Sequence, residues 1–294
     1  MTIGIISRSL GTHDGSFHAD EVTASALLVH FGLIDRDKIV RTREDRRLDA
    51  CDFVCDVGGF YDPSRRRFDH HQLEYTGDLS SAGMILEYLR DEKIISRELF
   101  SYLRYSLVKG IDEIDNGKCA PRSGHCSFSQ VISNFVPPAY EASEEEFNSS
   151  FFEALDFVLG FLMRAERKYH YLQKCKSLVG EVMNTMRECL IFDRAMPWVE
   201  AFFELEGERH PAEFVIMPSG KHWKLRGVPP TYDRRMEVRH PLPKEWAGLL
   251  GKELKEESGI KGAVFCHKGR FTSVWETKED ALKALKIVLG HKDD

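Results

Sequence analysis

Thr12-His13-Asp14-Gly15-Ser16-Phe17-His18-Ala19-Asp20 stands between a short apolar run, Ile3 to Ile6, and a stretch from Asp20 to Phe31 in which Val22, Ala26 and Val29 recur at helical spacing. Strand, polar loop and helix is the reading, with Gly32 ending the helix. The alternation continues outward. Strands are expected at Ile3 to Ser7, Lys38 to Thr42, Asp52 to Val57 and Arg67 to Asp69, and Ser80 or Ser81, both good N-caps, opens a helix carrying Met84, Ile85, Tyr88 and Leu89 inward. A third helix spans roughly Ser96 to Ile114, where Leu99, Leu103, Leu107 and Ile111 recur every four residues. Asp112 and Asp115, three apart, share a face near its end. Short strands separated by helices argue for an α/β fold whose parallel sheet has helices on both faces.

The chain has 294 residues, enough for two domains of ordinary size. Pro137-Pro138 and the acidic run Glu144 to Glu146 form the clearest break. Residues 1–140 are therefore expected to form the parallel-sheet domain, 141–194 a helical connector, and 195–294 a smaller α+β domain. Its strands are expected at Glu213 to Met217, His222 to Val228, Gly262 to His267 and Phe271 to Glu276, with a helix from Pro243 to about Glu257 and a last helix capped by Thr277.

Hydrophobic residues at 42% and charged residues at 30% exclude a disordered chain. A net charge of -6 excludes a basic field over the whole surface, so a nucleic acid would have to be gripped locally. Seven cysteines without a CxxC pair fit reduced thiols and a cytoplasmic location. Met1 to Leu10 lacks the features of a signal peptide, and no apolar stretch reaches the ~20 residues of a membrane span, so no membrane partner is expected.

Four segments place histidine or aspartate where strands end or helices begin, the edge at which open α/β sheets bind ligands. They are His13 to Asp20, Cys55-Asp56-Val57-Gly58, Phe68-Asp69-His70-His71, and Ile111 to Gly117 with Asp112 and Asp115. Each has an ordinary explanation alone: acids favour helix N-termini, an aspartate after a strand is often a turn residue, and a histidine pair can be merely exposed. Together they form a ligand set of imidazoles and carboxylates suited to manganese, iron, cobalt or zinc. Asp56 is the candidate bridge, since its two oxygens can each bind a different cation. Two ions ~3.5 to 4 Å apart would clamp a phosphoryl oxygen and bring the pKa of a shared water toward ~7. Phosphoester hydrolysis is the chemistry that follows.

With these residues in view, the chain resembles the DHH phosphoesterase superfamily and, within it, the MYG-type branch. Thr12 to Glu21 (THDGSFHADE), Cys55 to Gln72 (CDVGGFYDPSRRRFDHHQ), Ser80 to Gly83 (SSAG) and Ile111 to Gly117 (IDEIDNG) carry the likeness. The resemblance implies two domains whose cleft holds two divalent ions, manganese foremost, with magnesium, cobalt, iron or zinc as alternatives. It implies that His13, His18 and Asp56 hold one ion, and that Asp20, Asp56, His70 and either Asp112 or Asp115 hold the other. Asp56, Asp69, His70 and His71 are then the catalytic residues, with His71 facing the phosphate and Asp69 orienting an imidazole. The activity implied is that of a 3'-5' exonuclease on RNA or short oligonucleotides. The wider superfamily has an aspartate where His18 stands, and a glycine-rich histidine motif where this chain has Phe265 to Phe271.

In the second domain, basic and aromatic residues gather in Lys221 to Arg226 and in Arg234 to His240. Strand alternation puts His222, Lys224 and Arg226 on one face and Lys221, Trp223 and Leu225 on the other. With Arg239 and His267, the first row makes a candidate substrate surface, basic for phosphate and aromatic for bases; a solvated strand face over a core tryptophan is the alternative. Arg65-Arg66-Arg67 is either an anion-steering patch or a charged hairpin tip. Cys119, His125 and Cys126 offer zinc only three local ligands. Two other functions share the ligand set: a small-molecule phosphatase or pyrophosphatase, and a non-catalytic metal- or RNA-binding protein. A homodimer is compatible with all three.

Overall fold

The first strand, β1 (Ile6–Thr12), lies beyond the apolar run that seemed to announce it. Ile5 and Ile6 are 66% and 48% exposed, whereas Ser9, Leu10 and Thr12 are buried. The expected strand at Ile3 to Ser7 is corrected accordingly. Polarity concealed the buried segment: Ser9 Oγ donates to Ile6 O and accepts from Asp52 N, which satisfies the hydroxyl inside the sheet. Arg8, at φ 61°, interrupts the register at this point. The structure, a computed structural model, describes residues 4–120, 122–139 and 141–290. Ile3, the expected start of the first strand, and residue 140, an expected domain limit, lie outside them.

After β1 come α1 (Ala19–His30), β2 (Ile39–Arg41), α2 (Asp45–Asp49), β3 (Cys51–Cys55), β4 (Tyr61–Asp62) and β5 (Arg67–Phe68). The strands form one sheet in the order β2-β1-β3-β5-β4, parallel except for the edge strand β4. All four parallel strands therefore end on one edge, and β1, β3 and β5 run directly into His13, Asp56 and Asp69. Helices α3 (Ser81–Asp91), α4 (Arg97–Leu103), α5 (Lys109–Asp115), α6 (Phe128–Ser133) and α7 (Glu144–Met183) follow. Leu10, Phe53 and Phe68 on one sheet face share a core with Leu27 of α1, Ile85 of α3, Ile111 of α5 and Leu155 of α7. Leu48 of α2 covers Cys51 and Val54 on the other.

The expected helix over Ser96 to Ile114 forms, with one irregularity. Between α4 and α5 the chain makes a π-helical turn, Arg104–Val108. Steps of four residues overshoot a 3.6-residue turn by about 40° each, so a regular helix would carry the row from Leu99 to Ile111 about 120° around its axis. The wider turn takes up the excess, and Leu99, Leu103, Leu107 and Ile111 are all buried.

By contacts the chain divides into two units, one ending at Tyr169 and the other beginning at His170, within α7. In the second unit, β6 (Cys189–Ile191), α8 (Val199–Glu204), β7 (Phe214–Ser219), β8 (His222–Gly227), α9 (Gly251–Ser258), β9 (Ala263–Cys266), β10 (Thr272–Trp275) and α10 (Lys278–Val288) make an α+β layer. Its sheet runs β6-β7-β8-β10-β9. β6 and α8 escaped the sequence reading. Thr277 caps α10 by accepting from Asp280 N, and alternation along β8 buries Leu225 with Trp246 and Trp275. Among the described residues, no helix is long and apolar enough to cross a membrane.

Candidate metal centre

Asp56 stands at the centre of the cluster and pays for its place with backbone strain: it follows β3 at φ 58°, a region that side-chain-bearing residues rarely enter. Its amide donates to Phe68 O, which fixes the turn, and its carboxylate is 3% exposed. Oδ2 lies 3.2 Å from His13 Nε2 and Oδ1 lies 3.1 Å from His70 Nε2. One carboxylate thus meets two imidazoles delivered by two different strands.

Around it the donors fall into three overlapping groups, each with its atoms within 4.8 Å of one another: His13, His18, Glu21 and Asp56; Asp56, His70 and His71; His18, Asp20 and Asp115. His70 Nε2 is also 3.3 Å from Asp115 Oδ2 and 3.8 Å from Asp20 Oδ2. Asp20 is positioned by Ser81, whose hydroxyl donates to Oδ2 at 2.8 Å. Its Oδ1 is buried with no hydrogen-bond partner among the described residues, an acceptor that a cation would satisfy.

Asp69 accepts the His71 Nδ1 proton at 2.8 Å on Oδ1 and the Gly59 amide at 2.5 Å on Oδ2. It therefore fixes the ring of His71, which is exposed at the rim. A cavity of about 550 Å³ opens beside these groups, lined by His13, His18, Asp56, Asp69, His71 and Arg43 among others.

Of the two aspartates on α5, Asp115 joins the cluster and Asp112 does not. Asp112 Oδ1 accepts from Ser80 N, Ser80 Oγ and Gly83 N at the start of α3, and Oδ2 pairs with Arg104. The expectation of Asp112 as an alternative ligand is corrected: its oxygens are already engaged, one to a helix N-terminus and one to a guanidinium. Glu21, which is not among the expected ligands, is fully buried and lies 3.1 Å from His13 Nε2. Its burial within a helix start, where acids are usually solvated, is the property that spacing could not reveal.

Burial opposes charge throughout. It pulls His13 down, but hydrogen bonds to Asp56 and Glu21 outweigh it and raise the ring to about 10. His70 behaves likewise, raised to about 9 by Asp56, Asp20 and Asp115. Burial lifts Asp56, yet the two imidazoles win and hold it well below the usual carboxylate range. Burial foremost, with Asp20 and Asp56 adding, raises Asp115 to about 7, and burial also raises Glu21 to about 8. Four carboxylates around shared imidazoles carry more negative charge than a metal-free pocket tolerates, and the donor set suits divalent cations.

The other expected positions lie in the second unit. Lys224 and Arg226 share a half-buried face of β8, and burial lowers both pKa values; His222 lies on the same strand face. His267 Nδ1 accepts from Gly269 N in the β9–β10 turn, and its ring rests 4.2 Å from that of Phe271. Arg239 is corrected as a phosphate contact, because its guanidinium donates to His210 O, Ala212 O and Gly207 O. Cys119, His125 and Cys126 are exposed and form no candidate metal group among the described residues.

A parallel α/β sheet whose strand ends gather histidines and carboxylates into adjoining groups that could hold cations is the arrangement of a metal-dependent hydrolase. The chain belongs to the MYG1 exonuclease family: the family model described as "Uncharacterised protein family (UPF0160)" matches residues 9–289. It is similar to the MYG1 protein of Chlamydia trachomatis serovar D, 52% identical over 284 residues and 97% of each chain. The MYG1 protein of Chlamydia pneumoniae is 53% identical over 286 residues, again 97% of each. The MYG1 exonuclease of Homo sapiens is 30% identical over 324 residues, 96% of this chain and 86% of the human one.

Proposed function

We propose that this chain is an exonuclease acting on RNA or short oligonucleotides, with two divalent cations, manganese foremost, at the strand ends of the first unit. The observation that carries the reading is Asp56, whose two carboxylate oxygens each reach a different imidazole, His13 on one side and His70 on the other. His13, His18 and Asp56 would hold one cation, with Glu21 against His13; Asp20, Asp56, His70 and Asp115 would hold the second. Cations bound there would neutralise phosphoryl charge and acidify water at neutral pH.

The residues themselves do the positioning. Asp69 holds His71 through Nδ1, so Nε2 is the nitrogen left for a phosphate oxygen or a leaving group. The strained turn at Asp56 and the Ser81 hydroxyl bond to Asp20 fix two carboxylates before substrate arrives, which removes reorganisation from the reaction. The name of the human relative, MYG1 exonuclease, supports the polymer substrate, and the basic residues Lys224 and Arg226 of β8 are of the kind that contact a single strand's phosphates.

The test is manganese-dependent release of mononucleotides from end-labelled RNA by the purified protein. Asp56→Asn, which keeps a side chain that tolerates positive φ, should lower the rate by several orders of magnitude. Cleavage of a small phosphate ester or pyrophosphate, with RNA and short oligonucleotides left intact, would overturn the polymer substrate.

A further inference from the structure

Arg43 is the sole lysine or arginine among the described residues lining the cavity beside the cluster, where Asp14, Asp56 and Asp69 supply negative charge. The segment leading into it is held at two points. Thr42 N donates to Thr12 O at 2.7 Å, which extends the β1–β2 pairing one residue past the strands and brings Arg43 next to the loop that starts at His13. Arg41, two residues earlier, is buried; one Nη donates to Gly15 O at 2.6 Å and the other to Asn148 Oδ1 at 3.0 Å. These two arginines therefore differ in kind: Arg41 braces the loop from inside, while the side chain of Arg43 is 65% exposed at the cavity.

Among the described residues a single ion pair engages that side chain, Nε to Asp14 Oδ1 at 3.3 Å. No hydrogen bond joins its guanidinium to a described residue. Exposed pairs of this sort are weak and exchange readily. A guanidinium presents parallel donors that match two oxygens of one phosphate, a fit that lysine cannot reproduce.

We propose that Arg43 is a phosphate-binding residue of the substrate site, taking a substrate phosphate with its Nη groups, and that Asp14 holds the guanidinium in line for it. This rests on the nuclease reading above and adds to it a specific anion subsite at the end of β2.

The experiment measures binding of a fluorescein-labelled, phosphorothioate-linked RNA hexanucleotide by anisotropy, with the full-length protein and manganese present. Arg43→Ala should weaken binding roughly ten- to a hundredfold, the range for one lost charge-assisted contact. Arg43→Lys should restore only part of it, and Asp14→Asn, which releases the guanidinium, should weaken binding less than Arg43→Ala does. The slope of log affinity against log salt should become shallower by about 0.7 in Arg43→Ala, one phosphate contact on a single strand. Manganese affinity, measured by calorimetry, should stay at the parent value, which separates a phosphate contact from a collapsed metal site. Parent-like affinity and salt slope in Arg43→Ala would overturn the proposal even if the protein cuts RNA. If the parent neither binds nor cuts RNA, the nuclease reading fails, and inorganic phosphate becomes the probe. Weaker phosphate binding in Arg43→Ala then keeps the subsite, and unchanged binding removes it.

Discussion

Replacing Asp112 by asparagine should destabilise the first unit without emptying the metal site. Asp112 is 1% exposed, and its Oδ1 accepts two amides and a hydroxyl from Ser80 and Gly83 while Oδ2 pairs with Arg104. The amide keeps an oxygen for the start of α3 but surrenders the ion pair and turns an NH2 toward the guanidinium. Breaking a buried pair costs about 3–5 kcal/mol. Arg104 retains 20% exposure, so Asp112→Asn belongs at the low end, about 3 kcal/mol. Asp112→Ala also strands the α3 donors and should cost about 6 kcal/mol, comparable to the whole stability of many domains.

The assay is urea unfolding of metal-free protein by far-ultraviolet circular dichroism, with tryptophan fluorescence as an internal control, because Trp198, Trp223, Trp246 and Trp275 all lie in the second unit. Asp115→Asn provides the contrast. It removes a carboxylate that burial and neighbouring acids disfavour, so apo stability should change by less than about 1 kcal/mol or rise, while manganese affinity falls. An Asp112→Asn protein with the parent's urea midpoint and lost manganese binding would refute the reasoning and make Asp112 a ligand.

Gly83→Ala should destabilise to a similar degree, since the added Cβ would lie 2.5 Å from Asp112 Oδ2; a double-mutant cycle with Asp112→Asn should be clearly less than additive. Manganese affinity should rise with pH. His13 and His70, held at about 10 and about 9 in the metal-free protein, must each release a proton on binding, so affinity falls by up to about tenfold per proton for each pH unit below those values. Calorimetry in buffers of different ionisation enthalpy should register that proton release, and its absence would mean the rings are already neutral. Arg41→Ala should cost about 2–3 kcal/mol through the lost packing on Phe17 and Phe151 and the unpaired Gly15 carbonyl; thermal unfolding measures it.

Much of the site was legible because its segments are short and each sits directly after a strand, as His13, Asp56 and Asp69 do. What spacing could not resolve were long-range commitments. Asp112 and Asp115 look equivalent three residues apart on one helix, and only the start of α3, about thirty residues upstream, distinguishes them. Glu21 meets His13 across a turn that folds the loop back on α1, a contact with no periodic signature. Arg239 sits in a basic, aromatic stretch of the kind that binds phosphate, yet backbone carbonyls far away in sequence have claimed its donors. The first strand was displaced for the opposite reason: its buried half is polar, and its apolar neighbour faces water.

The wide turn at Arg104–Val108 also sets an aim. A helix advances about 100° per residue, so shortening this turn by one residue would leave a respectable rod whose far end had been swivelled by that angle. Asp115 would then point away from His70, and Asp112 away from the start of α3, though neither had been altered. The irregularity thus works as a rotational setting: one surplus residue, spent between two ordinary helices, decides which acid looks at the imidazoles.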